Sequence, residues 1–240
     1  MSCPARSRIV RSEDRSVPQL NVFRWQPGRG WLVLSGGGSL ESDDVQSVEA
    51  HLLARTVSQG PLAYVWAAGD LDTADRHMDS LRELGARTGY LVDILSETDE
   101  EIFAQISEAG VIIIGDGPQQ DALHDALSGV VLEAMRSAFS RGATIYAVGL
   151  SAAQFGAHRL GERDLAPGIQ WLERAIVVSG YTPDMADGLR QVVRQTPHSF
   201  GLGIGQGAAV ALGPLGEVEV WGSAAVTVAL GQDYTADAQD

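Results

Sequence analysis

A single cysteine, Cys3, is all the thiol this chain carries. A disulfide within the chain and a cysteine-based metal site are therefore excluded, and a reducing, cytoplasmic setting is the expectation. Long hydrophobic runs are also missing, which argues against a membrane span and a membrane partner. The first twenty residues, with Pro4 and Pro18 and no apolar core, read as neither signal peptide nor anchor. Positive charge is scarce: 17 Lys and Arg face 31 Asp and Glu, for a formal charge of −14. Nucleic-acid backbones demand clustered cations, so a nucleic-acid partner is not expected. The cations present gather at the front, where residues 1–30 hold six Arg against Glu13 and Asp14. Residues 1–28 thus read as a basic arm, mobile or docked on its own body or on a second copy in a homodimer. Residues 29–232 read as one domain, and 233–240 as an acidic tail.

What is present is a strict alternation of strand and helix. Trp31 to Leu34, Pro61 to Ala67, Gly89 to Leu95, Val111 to Ile114 and Ala143 to Val148 are apolar or β-branched strands. Between them lie helix patterns, with an apolar face through Val45, Val48 and Leu52, a capping-box spacing at Thr98 and Glu101, and one long helix from Asp121 to Ser140. Short connections in this order predict a doubly wound, three-layer α/β fold with a mostly parallel sheet covered on both faces. Val111 to Ile114, the most hydrophobic strand, should be central and next to Ile145 to Val148. The last strands, 208–212, 217–221 and 224–229, alternate and are joined by tight turns, which predicts an antiparallel hairpin extension of the same sheet.

Ligands of such sheets sit at the carboxyl ends of the strands. Three loops reach that edge: Ser35 to Gly38, Gly115 to Gln120, and the corner at Ser151. The third glycine of the first loop falls at the wrong spacing for a dinucleotide and no Gly-Lys-Ser/Thr follows, so close approach of a small ligand or a neighbouring loop is the better reading. Asp70, Asp72, Asp75 and Asp79 gather after a strand as cation ligands would, but acids in a helix's first turn favour its dipole and stay solvated. No metal and no cofactor is expected. Ser151 stands where a strand turns into a helix, flanked two residues away by Gly149 and Ala153. That is the pattern of a nucleophile elbow, whose serine holds a strained backbone over the sheet edge; it is also the pattern of a serine that merely caps its helix.

These motifs in this order, Leu34 to Gly38, Gly115 to Gln119, Gly149 to Gln154, Leu202 to Gly205 and Trp221 to Ser223, resemble the peptidase S51 family, which includes cyanophycinase and the Asp-specific dipeptidase E. The resemblance covers roughly Trp31 to Gln232. It implies a class I glutamine amidotransferase-like fold, with Ser151 as nucleophile and an oxyanion held by the N–H of Ala152 and one from Gly115 to Gly117. It also implies Gly37, Gln119 and Arg190 beside the substrate. The family's Asp-Gln-His-Phe segment falls on Ser179 to Thr182, so Tyr181 stands in place of the catalytic histidine. Met185 and Asp187 stand where helix arginines belong, and Pro118 has no N–H to donate. Glu162 and Asp164 are the candidates for the triad acid.

No other histidine is an obvious base. His158 reads as too far along the elbow helix, His198 lies at the opposite sheet edge, and His124 is directed away by its own helix. His77 alone starts at the correct edge. Two functions are consistent with this sequence: a catalytically impaired relative that binds a small peptide or amide, or serves in assembly, and an active serine peptidase or amidohydrolase using a non-standard base. A phenol with its ordinary pKa of about 10 cannot take the serine proton at neutral pH, though a Tyr181 facing Ser151 would share a hydrogen bond with it.

Overall fold

The structure, a computed structural model, describes residues 20–161, 164–234, 237 and 238. Strand β1 (Leu20–Asn21) pairs antiparallel with β14 (Asp237–Ala238). A seven-stranded sheet runs in the order β12 (Val218–Gly222), β11 (Ala208–Leu212), β2 (Leu32–Ser35), β6 (Thr144–Ala147), β5 (Val111–Ile114), β3 (Leu62–Val65) and β4 (Gly89–Val92). From β2 to β4 every pairing is parallel, and β5 lies beside β6 with Ile114 opposite Ala147. The predicted central pair is therefore present, within a mostly parallel sheet.

Successive side chains on these strands point to opposite faces, so a continuous apolar run buries both. On one face Val33, Tyr64, Ile113 and Tyr146 meet α1 (Asp43–Arg55) and α2 (Leu71–Glu83) through Val48, Leu52, Met78 and Leu81. On the other, Leu34, Ile112, Ile114 and Ile145 meet α3 (Asp99–Glu108), α4 (Gln120–Leu127) and α5 (Val130–Arg141). Asp70 caps α2 by accepting from the Thr73 amide at 2.8 Å, and Thr98 and Glu101 complete a capping box on α3. The single long helix expected from Asp121 to Ser140 is two: Gly129 takes φ 70 between α4 and α5. A left-handed glycine carries no Cβ penalty and ends the first helix there.

The C-terminal strands correct the one-sheet expectation. Strands β11 and β12 do extend the main sheet antiparallel. A second, five-stranded sheet holds β13 (Val226–Leu230), β10 (Phe200–Ile204), β9 (Ala175–Ser179), β7 (His158–Leu160) and β8 (Leu165–Pro167), in that order. The chain crosses between sheets at Gly222, φ 84, after which the Gly205 amide bonds the Ala225 carbonyl. One face of this second sheet joins the main core through Ala175, Val177, Phe200 and Leu202. Its other face, with Ile176, is covered by Leu189 and Val193 of α6 (Ala186–Gln195). No helix among the described residues is long and apolar enough to cross a membrane.

Candidate functional site

The parallel register levels the ends of β2, β5 and β6, which brings the loops that follow them together. Gly37 closes on Gly149: a Cβ at Gly37 would lie 2.9 Å from the Gly149 Cα. Gly149 turns with φ 57, and a Cβ there would run into the Asp116 carboxylate. The expected strained elbow at Ser151 is absent. The only non-glycine residues with positive φ among those described are Gln170 and Arg174, so Gly149 takes the turn instead. From that turn the chain winds into a 3₁₀ run, Gly149–Phe155, rather than an α-helix, and the run ends at Gly156.

Ser151 is fully buried, and its hydroxyl donates to the Gly115 carbonyl at 2.6 Å. Asp116 Oδ1 accepts from two backbone amides, Gly117 at 2.8 Å and Leu150 at 2.9 Å. Partial desolvation by its neighbours raises the Asp116 carboxyl above its ordinary pKa, although the residue is exposed, against the pull of those two amides and of nearby His77. The Gly117 N–H, one of the donors assigned to an oxyanion, is thus spent on a resident carboxylate. Ala152 is buried behind Ser151, and the Gln119 amide bonds the Ala68 carbonyl at 3.0 Å at the head of α4.

Gly180, next to Tyr181, reaches the same edge by donating to the Gly36 carbonyl at 3.0 Å, but the other assigned side chains are held elsewhere. Tyr181 packs its ring over Gly203 in the cluster of Ile176, Leu189 and Val193, beneath α6, while Ala152 and Phe155 of the 3₁₀ run belong to the main core. Asp164 is exposed, in the turn of the β7–β8 hairpin, where its carbonyl accepts from Gly161. Glu162 lies outside the described residues. Arg190 is exposed and paired with Asp187 at 2.9 Å. The structure therefore gathers Gly37, Gly115, Gly117 and Ser151, and separates them from Asp164 and Arg190.

Two histidines depart from expectation. His124 is not turned away from the corner: its Nδ1 lies 3.1 Å from Gln154 Oε1, three residues beyond Ser151. His158 is not on a helix at all but opens β7. His77 is buried on the face covered by α1 and α2, with Nε2 2.7 Å from Glu49 Oε1 and Nδ1 2.9 Å from the Tyr64 hydroxyl. In the tautomer that satisfies both contacts, Nε2–H donates to the Glu49 carboxylate and Nδ1 accepts from the Tyr64 hydroxyl. Burial first, then Glu49 and Asp116, push the Tyr64 phenol far above its ordinary value. This Glu–His–Tyr chain was legible in part: Ala74, His77, Met78 and Leu81 share one helix face, as do Val45, Glu49 and Leu52.

Among the described residues, no group of three or more His, Cys, Asp or Glu is placed to hold a metal ion. No protein-family model matches the sequence, and no curated protein matches it. Solved structures do. A peptidase from an acI-B1 Actinobacterium superposes with a TM-score of 0.68 at 17% identity, covering 85% of this chain and 93% of that one. A candidate peptidase E protein from Listeria monocytogenes EGD-e superposes with a TM-score of 0.62 at 12% identity, covering 81% of this chain and 99% of that one. This chain has the peptidase E-like fold. Within that fold, the loop after β5 holds the corner at Ser151 through the Gly115 carbonyl and the Asp116 carboxylate.

Proposed function

We propose that the chain is a catalytically impaired relative of the S51 peptidases, which keeps the fold and binds a small ligand at the carboxyl edge of its sheets. The observation that carries this reading is the buried Ser151 hydroxyl, committed to the Gly115 carbonyl at 2.6 Å. A nucleophilic serine needs a base that accepts its proton; a carbonyl accepts the hydrogen bond but cannot take the proton. Asp116 adds to this. Its charge occupies the amides of Gly117 and Leu150, where a developing oxyanion would meet repulsion rather than stabilisation. Loss of a triad member removes a factor of about 10⁴ or more from the rate.

The absence of arginines at Met185 and Asp187, on a chain of formal charge −14, speaks against acidic substrates as well. The test is hydrolysis of Asp-containing dipeptides and of cyanophycin by wild type and Ser151→Ala. The expected result is no turnover above the variant's background. Turnover at about 1 per second or faster, lost in Ser151→Ala, would instead establish the active hydrolase.

A further inference from the structure

Between the 3₁₀ run and the second sheet lies a cavity of about 110 Å³. Its apolar wall is built by Leu150, Leu160 and Val177, and its polar wall by Gln154 and Arg159. Leu150 and Leu160 are 49% and 51% exposed, an apolar rim left open to solvent.

Arg159 is the unusual member of this lining. Its side chain is 9% exposed, and its Nη2 lies 2.6 Å from Asp121 Oδ1. Its Nε is buried and has no hydrogen-bond partner among the described residues. An N–H left unmade in the interior is costly, and the cost is greater on a charged group. The Nε and one terminal nitrogen of a guanidinium lie along one edge, which matches the two oxygens of a carboxylate. Asp121 brings one oxygen to one nitrogen. Its side chain is 78% exposed, so it can swing into solvent at little cost.

Gln154 does not supply the missing acceptor. Its amide nitrogen donates to Gln120 O at 2.9 Å and Gln120 Oε1 at 3.0 Å, and its oxygen faces His124 Nδ1 at 3.1 Å. The polar wall is therefore fixed, and the open valence belongs to Arg159.

We propose that this cavity binds a small apolar monocarboxylate, with the carboxylate on the Nε edge of Arg159 and the hydrocarbon against Leu150, Leu160 and Val177. The proposal rests on the impaired-enzyme reading only in treating the site as one of binding rather than turnover, since none of these contacts involves the Ser151 hydroxyl.

Isovalerate and isovaleramide, equal in shape and different in charge, are the probes, titrated calorimetrically into the full chain. The Arg159 Nε–H resonance, assigned by its loss in Arg159→Lys, is followed in parallel. Isovalerate should bind saturably and shift that resonance. The amide, and isovalerate on Arg159→Lys, should each bind about tenfold more weakly or worse, the weight of a charge-assisted pair. Asp121→Asn, a change on an exposed side chain, should tighten isovalerate several-fold by removing the competing carboxylate. Equal affinity for acid and amide, or no saturable binding of isovalerate, would overturn the proposal, as would an Asp121→Asn affinity no higher than wild type. Reactivity of Ser151 toward a fluorophosphonate bears only on the impaired-enzyme reading, so the two can fail separately.

Discussion

The Ser151 hydroxyl donates to the Gly115 carbonyl at 2.6 Å, across the ends of two neighbouring parallel strands. That bond ties the corner after β6 to the loop after β5.

If the bond is structural, Ser151→Ala should destabilise the protein by about 1–2 kcal/mol, because a buried carbonyl loses its donor. Urea unfolding of the two proteins checks this. An unchanged or higher midpoint would mean that the hydroxyl contributes nothing to the fold.

Asp116 gives a pH-dependent test. Its pKa is raised in the folded protein by partial desolvation, so its contribution to stability is fully present below the unfolded value, about 4. That contribution is lost as pH rises through the folded one. Asp116→Asn keeps the Oδ1 acceptor for Gly117 and Leu150 without the charge. The variant should therefore be more stable than wild type at pH 7, with the advantage shrinking as pH falls toward 4. Thermal unfolding across that range measures it, and an advantage that grows on acidification would contradict the assignment.

On the other face of the sheet, His77 stands between Glu49 and Tyr64. His77→Leu leaves a buried carboxylate without its partner and should cost about 3–5 kcal/mol. Tyr64→Phe, which removes one neutral donor, should cost nearer 1 kcal/mol. Denaturant titration of both variants orders them, and near-equal losses would refute the chain as drawn.

Gly149 is the hinge of the corner. With φ 57 and the Asp116 carboxylate against its α-carbon, Gly149→Ala combines backbone strain with a clash. It should destabilise by about 2 kcal/mol or more. A loss below about 0.5 kcal/mol in the same titration would show that the loop yields freely.

The parallel sheet was legible because Val111 to Ile114 and Ala143 to Val148 bury both faces and so read as continuous apolar runs. The second sheet was not. Ala175 to Val178 and Ala224 to Ala229 carry the same local pattern as main-sheet strands, and which sheet they join is decided by distant pairing, Ile204 against both Ser179 and Val226. The break at Gly129 was hidden because helices tolerate an isolated glycine. At the site, sequence order brought Gly37, Gly115, Gly117 and Ser151 to one edge, but it carries no information on where a hydroxyl points. The Ser151 bond and the Asp116 contacts with Leu150 are made across loops. Arg159 escaped notice because the residues after Ser151 read as one helix, on which a single cation has no periodic signature; its burial comes from the packing of β7 against the 3₁₀ run.

The most direct test of the central claim is intact-mass measurement of the wild-type protein after exposure to a fluorophosphonate at neutral pH, with Ser151→Ala alongside. A serine held by a carbonyl, with no base to receive its proton, should remain unmodified, and wild type and variant should give the same spectrum. Rapid, stoichiometric addition of one phosphonyl group to wild type, absent from Ser151→Ala, would contradict the account and establish a working nucleophile.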